Sequence, residues 1–190
     1  MKQLTEIRWH GRGGQGAKTA ALLLAGAALD EGKYIQGFPE YGPERMGAPM
    51  QSFTRISEDP ITIHSHVSSP DAVVVLDSTL LEMVDVTAGL PDEGVILVNT
   101  SQNPHQIKEK LGLKKAKVFT VDATSISLET MGRNLPNTPM LGALIKATSL
   151  LSIETVISNI EKKLGKKYNR KVVEGNIKAI KRAYEEVQGE

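Results

Sequence analysis

The sequence predicts a Rossmann-like, doubly wound α/β fold: a mixed, mostly parallel sheet with an antiparallel hairpin and C-terminal helices. Three observations predict it. The runs Ala72–Leu76, Val95–Val98 and Val118–Val121 are short, mostly β-branched and almost continuously apolar, as strands buried on both faces are. Helical stretches around Leu80–Val86 and Pro104–Leu111 separate them, which gives the strand, helix, strand order of a parallel sheet. The N-terminus reads as strand, glycine turn and helix, the opening of a βαβ unit.

Taken in order, Leu4–Trp9 alternates apolar and polar residues as a strand does, and Ala17–Glu31 is dominated by Ala and Leu as a helix. Gly32 supplies a helix stop, and Tyr34–Phe38 resumes as a strand. A right-handed crossover makes that strand parallel to the first. Pro39 to Pro49 is too rich in proline and glycine for regular structure, and its Glu and Arg residues mark it as a functional loop. Met50–Ser57 and Ile61–Val67 alternate with period two around Glu58-Asp59-Pro60, which predicts the antiparallel hairpin. Beyond Asn134–Pro139 the apolar spacing is helical, over Met140–Leu151, Ile153–Leu164 and Val172–Val187. The C-terminal part is therefore expected to be all helix, covering one sheet face or reaching a partner subunit. With no strong linker, residues 1–190 are expected to form a single domain.

Composition narrows the function. Lys and Arg total 23 against 22 Asp and Glu, a net charge of +1, so no global basic field points to nucleic acid and any anion site is local. The chain has no cysteine, which excludes a disulfide, a thiolate nucleophile and a cysteine-ligated iron–sulfur cluster within it. No apolar leader follows the basic start, and Ala20–Leu29 is about half a membrane span, so the expected location is cytoplasmic and off the membrane.

The chemistry concentrates in the turn Gly11-Arg12-Gly13-Gly14-Gln15-Gly16, a G-x-G-x-x-G pattern between a strand and a helix. Glycines allow close approach, so amides at the helix N-terminus can face an anion with the helix dipole behind them. Arg12 and Lys18 can add charge-assisted contacts. A ligand-free tight turn is the plainer reading of the same residues. The segment is no phosphate-binding NTPase loop, because Ala17 separates Gly16 from Lys18-Thr19. A free-standing dinucleotide-binding Rossmann-like module is the alternative, since Glu40 follows the second strand about where a ribose-binding carboxylate sits.

Other candidates have plainer readings. Asp77, Asn99 and Asp122 follow buried strands at the carboxyl edge of the sheet, where capping the next helix is expected more than ligand contact. His64 and His66 share one side of a strand, but no further ligand completes a metal site, and both are expected to face solvent. His10 precedes the turn and is read as satisfying a backbone carbonyl rather than as catalytic. The basic run Lys162 to Lys167 reads as a solvated helix end.

Three segments together resemble the gamma subunit of pyruvate and related 2-oxoacid:ferredoxin oxidoreductases: Gly11 to Gly16, Glu40-Tyr41-Gly42-Pro43-Glu44-Arg45-Met46-Gly47-Ala48-Pro49 with Arg55-Ile56-Ser57, and Asn137-Thr138-Pro139-Met140-Leu141-Gly142-Ala143. The resemblance covers nearly the whole chain. It implies a subunit of a complex that oxidatively decarboxylates a 2-oxoacid, with pyruvate expected, to acyl-CoA and CO2 while reducing ferredoxin. Thiamine diphosphate, Mg and iron–sulfur clusters would belong to alpha, beta and delta-type partner subunits, with none held by this chain alone. CoA would bind in a shared site at Gly11, Arg12, Gly13, Gly14, Gln15, Gly16, Ala17 and Lys18. Glu44, Arg45 and Asn137 would belong to an interface or a ligand loop. The resemblance implies no catalytic residue on this chain and no activity of the chain alone.

Overall fold

The computed structural model describes residues 3–40 and 47–190. In chain order the elements are β1 (Leu4–Arg12), α1 (Ala17–Asp30), β2 (Tyr34–Glu40), β3 (Pro49–Ser57) and β4 (Ala72–Val75), then a 3-10 turn over Ser78–Glu82. There follow β5 (Val95–Asn99), α2 (Pro104–Lys110), β6 (Lys117–Val121), α3 (Ala123–Met131), α4 (Asn137–Thr148), α5 (Ile153–Gly165), α6 (Arg170–Glu186) and β7 (Gln188–Gly189). The strands form one sheet in the order β2-β3-β1-β4-β5-β6-β7. Neighbours from β1 through β4 and β5 to β6 are parallel, whereas β3 runs against both β1 and β2, and β7 runs against β6. All strands but β3 and β7 thus point the same way, the mixed and mostly parallel α/β architecture that the apolar runs predict.

The antiparallel hairpin is present, but with a different partner. β2 runs parallel to β1 as the crossover requires, yet β3 lies between them and pairs along the whole of β1, from Leu4 opposite Ser57 to Arg12 opposite Pro49. Both edges of β3 are occupied, so Ile61–Val67 cannot pair with it, and the segment forms no strand. Its carbonyls turn to a side chain instead. Buried Arg55 on β3 donates to Ile63 O at 3.3 Å and Ser65 O at 2.8 Å, and its Nε donates to Glu6 at 2.8 Å. A buried guanidinium needs such partners, and the alternating pattern of 61–67 serves this strap rather than a ladder.

Two other expectations change. The C-terminal part is not all helix: β7 lies on β6, and Val118 and Glu190 exchange N–H to O bonds of 2.9 Å in both directions. The helix expected over Leu80–Val86 is only the 3-10 turn, while α3, absent from the periodicity reading, starts at an Asp122 cap and ends at Gly132 in the left-handed region.

Alternation along the parallel strands sends side chains to two cores. Ile7, Trp9, Val74 and Leu97 face α1 and the helices α3 to α6, so the C-terminal helices do cover one sheet face. Val73, Val75, Ile96, Val98 and Val118 face the other side, with Leu80, Val86 and Ile107. Trp9 is fully buried, and its indole N–H donates to Thr54 Oγ1 at 3.1 Å, whose hydroxyl donates to Ala21 O at 3.1 Å. That chain ties β1, β3 and α1 together without leaving a buried donor unmade.

α4 packs closely on α6, where a Cβ on Gly142 would lie 2.1 Å from Ile180 O. Backbone cannot give way as a side chain can. Gly142→Ala is expected to destabilise the chain by about 2 to 3 kcal/mol, measured by denaturant unfolding. A change within about 0.5 kcal/mol would mean that the two helices can separate freely.

Candidate functional site

β1 does not end where the glycines begin. Gly11 and Arg12 are still strand, opposite Met50 and Pro49, and the turn proper is Gly13 to Gly16. Positive φ falls at Gly14 (98°) and Gly16 (85°), where any side chain would be strained. Gly13 N–H donates to Ala48 O at 3.0 Å and Gly47 N–H to Gly13 O at 3.2 Å, so the turn is stitched to the start of β3.

The polar residues of the turn mostly hold the turn itself. Gln15 Oε1 accepts from Arg12 N–H at 2.7 Å, and Gln15 N–H donates to Arg12 O at 3.0 Å. Gln15 Nε2 donates to Asp77 at 2.7 Å. The Arg12 guanidinium donates to Asp77 at 3.1 Å, Gly47 O at 3.1 Å and Thr79 Oγ1 at 2.7 Å. Burial disfavours the Asp77 anion, but the Thr79 hydroxyl, the Gln15 amide, the Thr79 N–H and the Arg12 charge outweigh it and hold the carboxyl below its ordinary range.

His10 lies under the turn and is buried. Its Nε2 accepts from Arg8 Nε at 3.0 Å, while Arg8 Nη2 donates to Val86 O and Ala88 O at 3.0 and 2.6 Å. Burial, then the Arg8 charge, lowers the His10 pKa to about 3, against a smaller opposing pull from Asp85. The ring is therefore neutral near pH 7, with its proton on Nδ1. It receives a buried arginine rather than a backbone carbonyl.

In front of the turn lies a cleft of about 580 Å³, within the range of small-molecule sites. Gly14, Gly16 and Thr19 form one wall, the end of α3 with Arg133 another, and the starts of α4 and α6 with Leu164 and Tyr168 the rest. Helices α2, α3, α5 and α6 and the 3-10 turn each begin at an Asn, Asp or Ser whose side chain caps an amide. α1 and α4, begun by Gly16 and Pro136, carry no side-chain cap, and both open on this cleft. The α1 ladder starts with Ala20 N–H to Gly16 O at 2.9 Å, so the amides of Gly16 and Ala17 have no acceptor within the helix.

Asn137 joins the two uncapped starts. Its residue is 8% exposed, and its Nδ2 lies 2.7 Å from where a Gly16 Cβ would stand, so the missing Cβ is what admits the amide. Nδ2 has no hydrogen-bond acceptor among the described residues, whereas neighbouring Thr138 donates to Asn176 Oδ1 at 2.8 Å and Asn176 Nδ2 to Val172 O at 2.8 Å. Arg133 and Lys171 bring positive charge to the lining, and Glu129, its one acidic residue among the described residues, is paired with Arg182 at 2.6 Å. Two helix dipoles, a buried amide donor and two cations suit an anionic ligand.

The other candidates separate as follows. Gly11 and Ala17 are buried, Lys18 is exposed on the first turn of α1, and Glu44 and Arg45 lie outside the described residues. Asp77 and Asp122 cap the helical turns that follow them. Asn99 caps nothing on its own crossover. It donates to Leu76 O and Thr124 Oγ1 at 2.9 Å and accepts from Thr124 N–H at 3.2 Å, joining the ends of β4 and β5 to the first turn of α3. His64 and His66 are exposed, and no group of three metal-binding side chains occurs among the described residues. Lys163 donates to Leu22 O at 3.3 Å and Lys162 pairs with Asp30 at 3.8 Å, so part of the basic run packs on α1. Glu40 ends β2, two strand spacings or about 10 Å from β1, which removes the ribose-carboxylate geometry of a dinucleotide fold. The sequence reading missed Arg133, Lys171 and Asn176 and named Thr138 only within a motif; all four reach the cleft because α3, α4 and α6 pack around the turn. No helix among the described residues is long and apolar enough to cross a membrane.

Comparison with known proteins agrees with this architecture. The family model for pyruvate ferredoxin/flavodoxin oxidoreductase matches residues 6–186. The pyruvate synthase subunit PorC of Thermotoga maritima is 49% identical over 187 residues, covering 98% of this chain and 96% of the relative. The pyruvate/ketoisovalerate oxidoreductases common subunit gamma of Pyrococcus abyssi is 51% identical over 185 residues, covering 97% and 98%. The crystal structure of the T. maritima pyruvate oxidoreductase subunit PORC superposes with a TM-score of 0.87 at 45% identity, covering 99% of each chain.

The His10 environment predicts a pH dependence. A pKa lowered in the folded state gives stability that is complete above the unfolded value of 6.5 and is lost as pH falls from there toward 3. Between about pH 6.5 and 5, above most carboxylate titration, unfolding free energy should fall with a slope approaching about 1.4 kcal/mol per pH unit. His10→Gln, which keeps an acceptor for Arg8, should remove that slope in denaturant titrations. An unchanged slope would contradict a neutral buried His10.

Proposed function

This chain belongs to the pyruvate ferredoxin/flavodoxin oxidoreductase family as a gamma subunit of the 2-oxoacid:ferredoxin oxidoreductase complex, and on that premise we propose that its cleft binds the phosphates of CoA. The observation that carries the proposal is the convergence of the only two helix starts without a side-chain cap, among the described residues, on one cleft with the Asn137 amide between them. CoA is polyanionic and large, so a site for it needs both anion donors and room. Gly14 and Gly16 let the backbone approach, and the first turns of α1 and α4 present their amides. Arg133 and Lys171 add charge from the rim, and Lys18 adds charge from the exposed side of α1.

In this reading the chain contributes binding and orientation rather than bond making. By fixing CoA at its phosphate end it presents the thiol to an active centre shared with the alpha, beta and delta-type partner subunits, and so supplies proximity in the acyl transfer. Thiamine diphosphate with Mg and the iron–sulfur clusters, on those partners, supply decarboxylation of pyruvate or a related 2-oxoacid and passage of electrons to ferredoxin. The chain has no cysteine with which to ligate a cluster, which supports that division of labour. The complex acts in the cytoplasm, and the isolated chain turns nothing over.

Asn137→Asp keeps the shape of the side chain and places a carboxylate against the ligand phosphates. In the assembled complex it is expected to raise the KM for CoA by about tenfold or more while that for pyruvate stays within about twofold. Lys171→Gln should act in the same direction and less strongly, as an exposed cation does. Equal changes in both KM values would make the cleft structural, and no change in either would place CoA elsewhere.

A further inference from the structure

Asp77 lies outside the cleft lining, yet the turn that forms one wall of it is fastened to this carboxylate. Its Oδ1 does what a helix cap does, accepting from Thr79 N–H at 3.0 Å and the Thr79 hydroxyl at 2.6 Å. A cap needs no more than that. Oδ2 instead reaches across from the end of β4 to the end of β1, accepting from Gln15 Nε2 at 2.7 Å and Arg12 Nε at 3.1 Å. The linked Gln15 closes the turn on itself through Arg12 N–H, and the linked Arg12 reaches Gly47 O at the start of β3.

We propose that Asp77 is a positioning residue for CoA: acting through Gln15 and Arg12, it holds the glycine turn in the conformation that aims the first-turn amides of α1 into the cleft. This rests on the CoA reading above. Chemistry dictates the polarity of the linkage. A carboxylate only accepts, so the Gln15 amide must turn its nitrogen to Asp77, and a backbone N–H only donates, so its oxygen must face Arg12. Both ends of Gln15 are thereby engaged in holding the turn. Asp77 thus affects CoA without touching it, and leaves the 2-oxoacid, handled by other subunits in this reading, unaffected.

The polarity supplies the test. Gln15→Glu sets two carboxylates face to face, and Asp77→Asn presents an amide nitrogen to an amide nitrogen or gives up the Thr79 bonds. The double variant Gln15→Glu with Asp77→Asn restores one donor against one acceptor between the two side chains, keeps an oxygen for Arg12 N–H, conserves net charge, and moves the carboxylate partner of the Arg12 guanidinium from position 77 to position 15. In the assembled complex each single variant is expected to raise the KM for CoA about tenfold, with the KM for pyruvate unchanged. The double should return to within about threefold of the parent. Singles whose effects multiply in the double, or that move both KM values alike, would overturn the positioning role. If Asn137→Asp raises the CoA KM and the Asp77 and Gln15 variants do not, the positioning role falls while the CoA site stands. If Asn137→Asp has no effect either, the CoA reading falls and the positioning role with it. Should a single variant fail to assemble, assembly of the double with parental CoA KM would still support the linkage, and failure of the double as well would overturn it.

Discussion

The carboxylate of Asp77 holds the end of β1 against the end of β4, and the glycine turn is built outward from that contact. β1 must pass the chain to α1 over the carboxyl edge of a parallel sheet and keep the space in front of α1 open. Gly14 and Gly16 make the path possible, but glycines alone would leave it loose. Arg12 and Gln15 remove that freedom by tying the turn to Asp77 and to itself. Asp77 and Arg12 are partly exposed, so the ion pair as such contributes modestly, and its worth lies in fixing geometry.

The same geometry has a cost in the absence of ligand. A side-chain cap is worth about 1 kcal/mol, and α1 and α4 both do without one whereas the other helices among the described residues have one. Asn137 is buried at their meeting point with its Nδ2 turned toward Gly16. An anion in the cleft would satisfy these donors together. Net charge for the whole chain is only +1, so attraction of such a ligand comes from this arrangement and from Arg133 and Lys171 rather than from the global field.

The apolar runs of the central strands and the Ala-rich helix after the turn were legible because burial on both faces leaves a one-dimensional signature. The family was legible too, from three motifs in order. Tertiary choices were not. Whether β2 or β3 lies next to β1 depends on which strand pairs best along its length, and the alternation of Ile61–Val67 is as compatible with a strap on Arg55 as with a strand. β7 is two residues long and carries no pattern. In the site, the turn was visible as a glycine spacing, but Arg12 and Gln15 looked like ligand contacts because Asp77 is more than sixty residues away in sequence. Asn137 was flagged, through a motif, for an interface or a ligand loop. Its place against Gly16, and the arrival of Arg133 and Lys171 at the same cleft, follow from the packing of α4 and α6 around the turn.

Amide hydrogen exchange on the assembled complex, with and without CoA, reads the proposed backbone donors directly. The account predicts that CoA slows exchange in the segments 13–19 and 132–140, at the first turns of α1 and α4, while pyruvate alone leaves both unchanged. CoA-dependent protection confined to other segments of the complex, with these two exchanging as before, would contradict it.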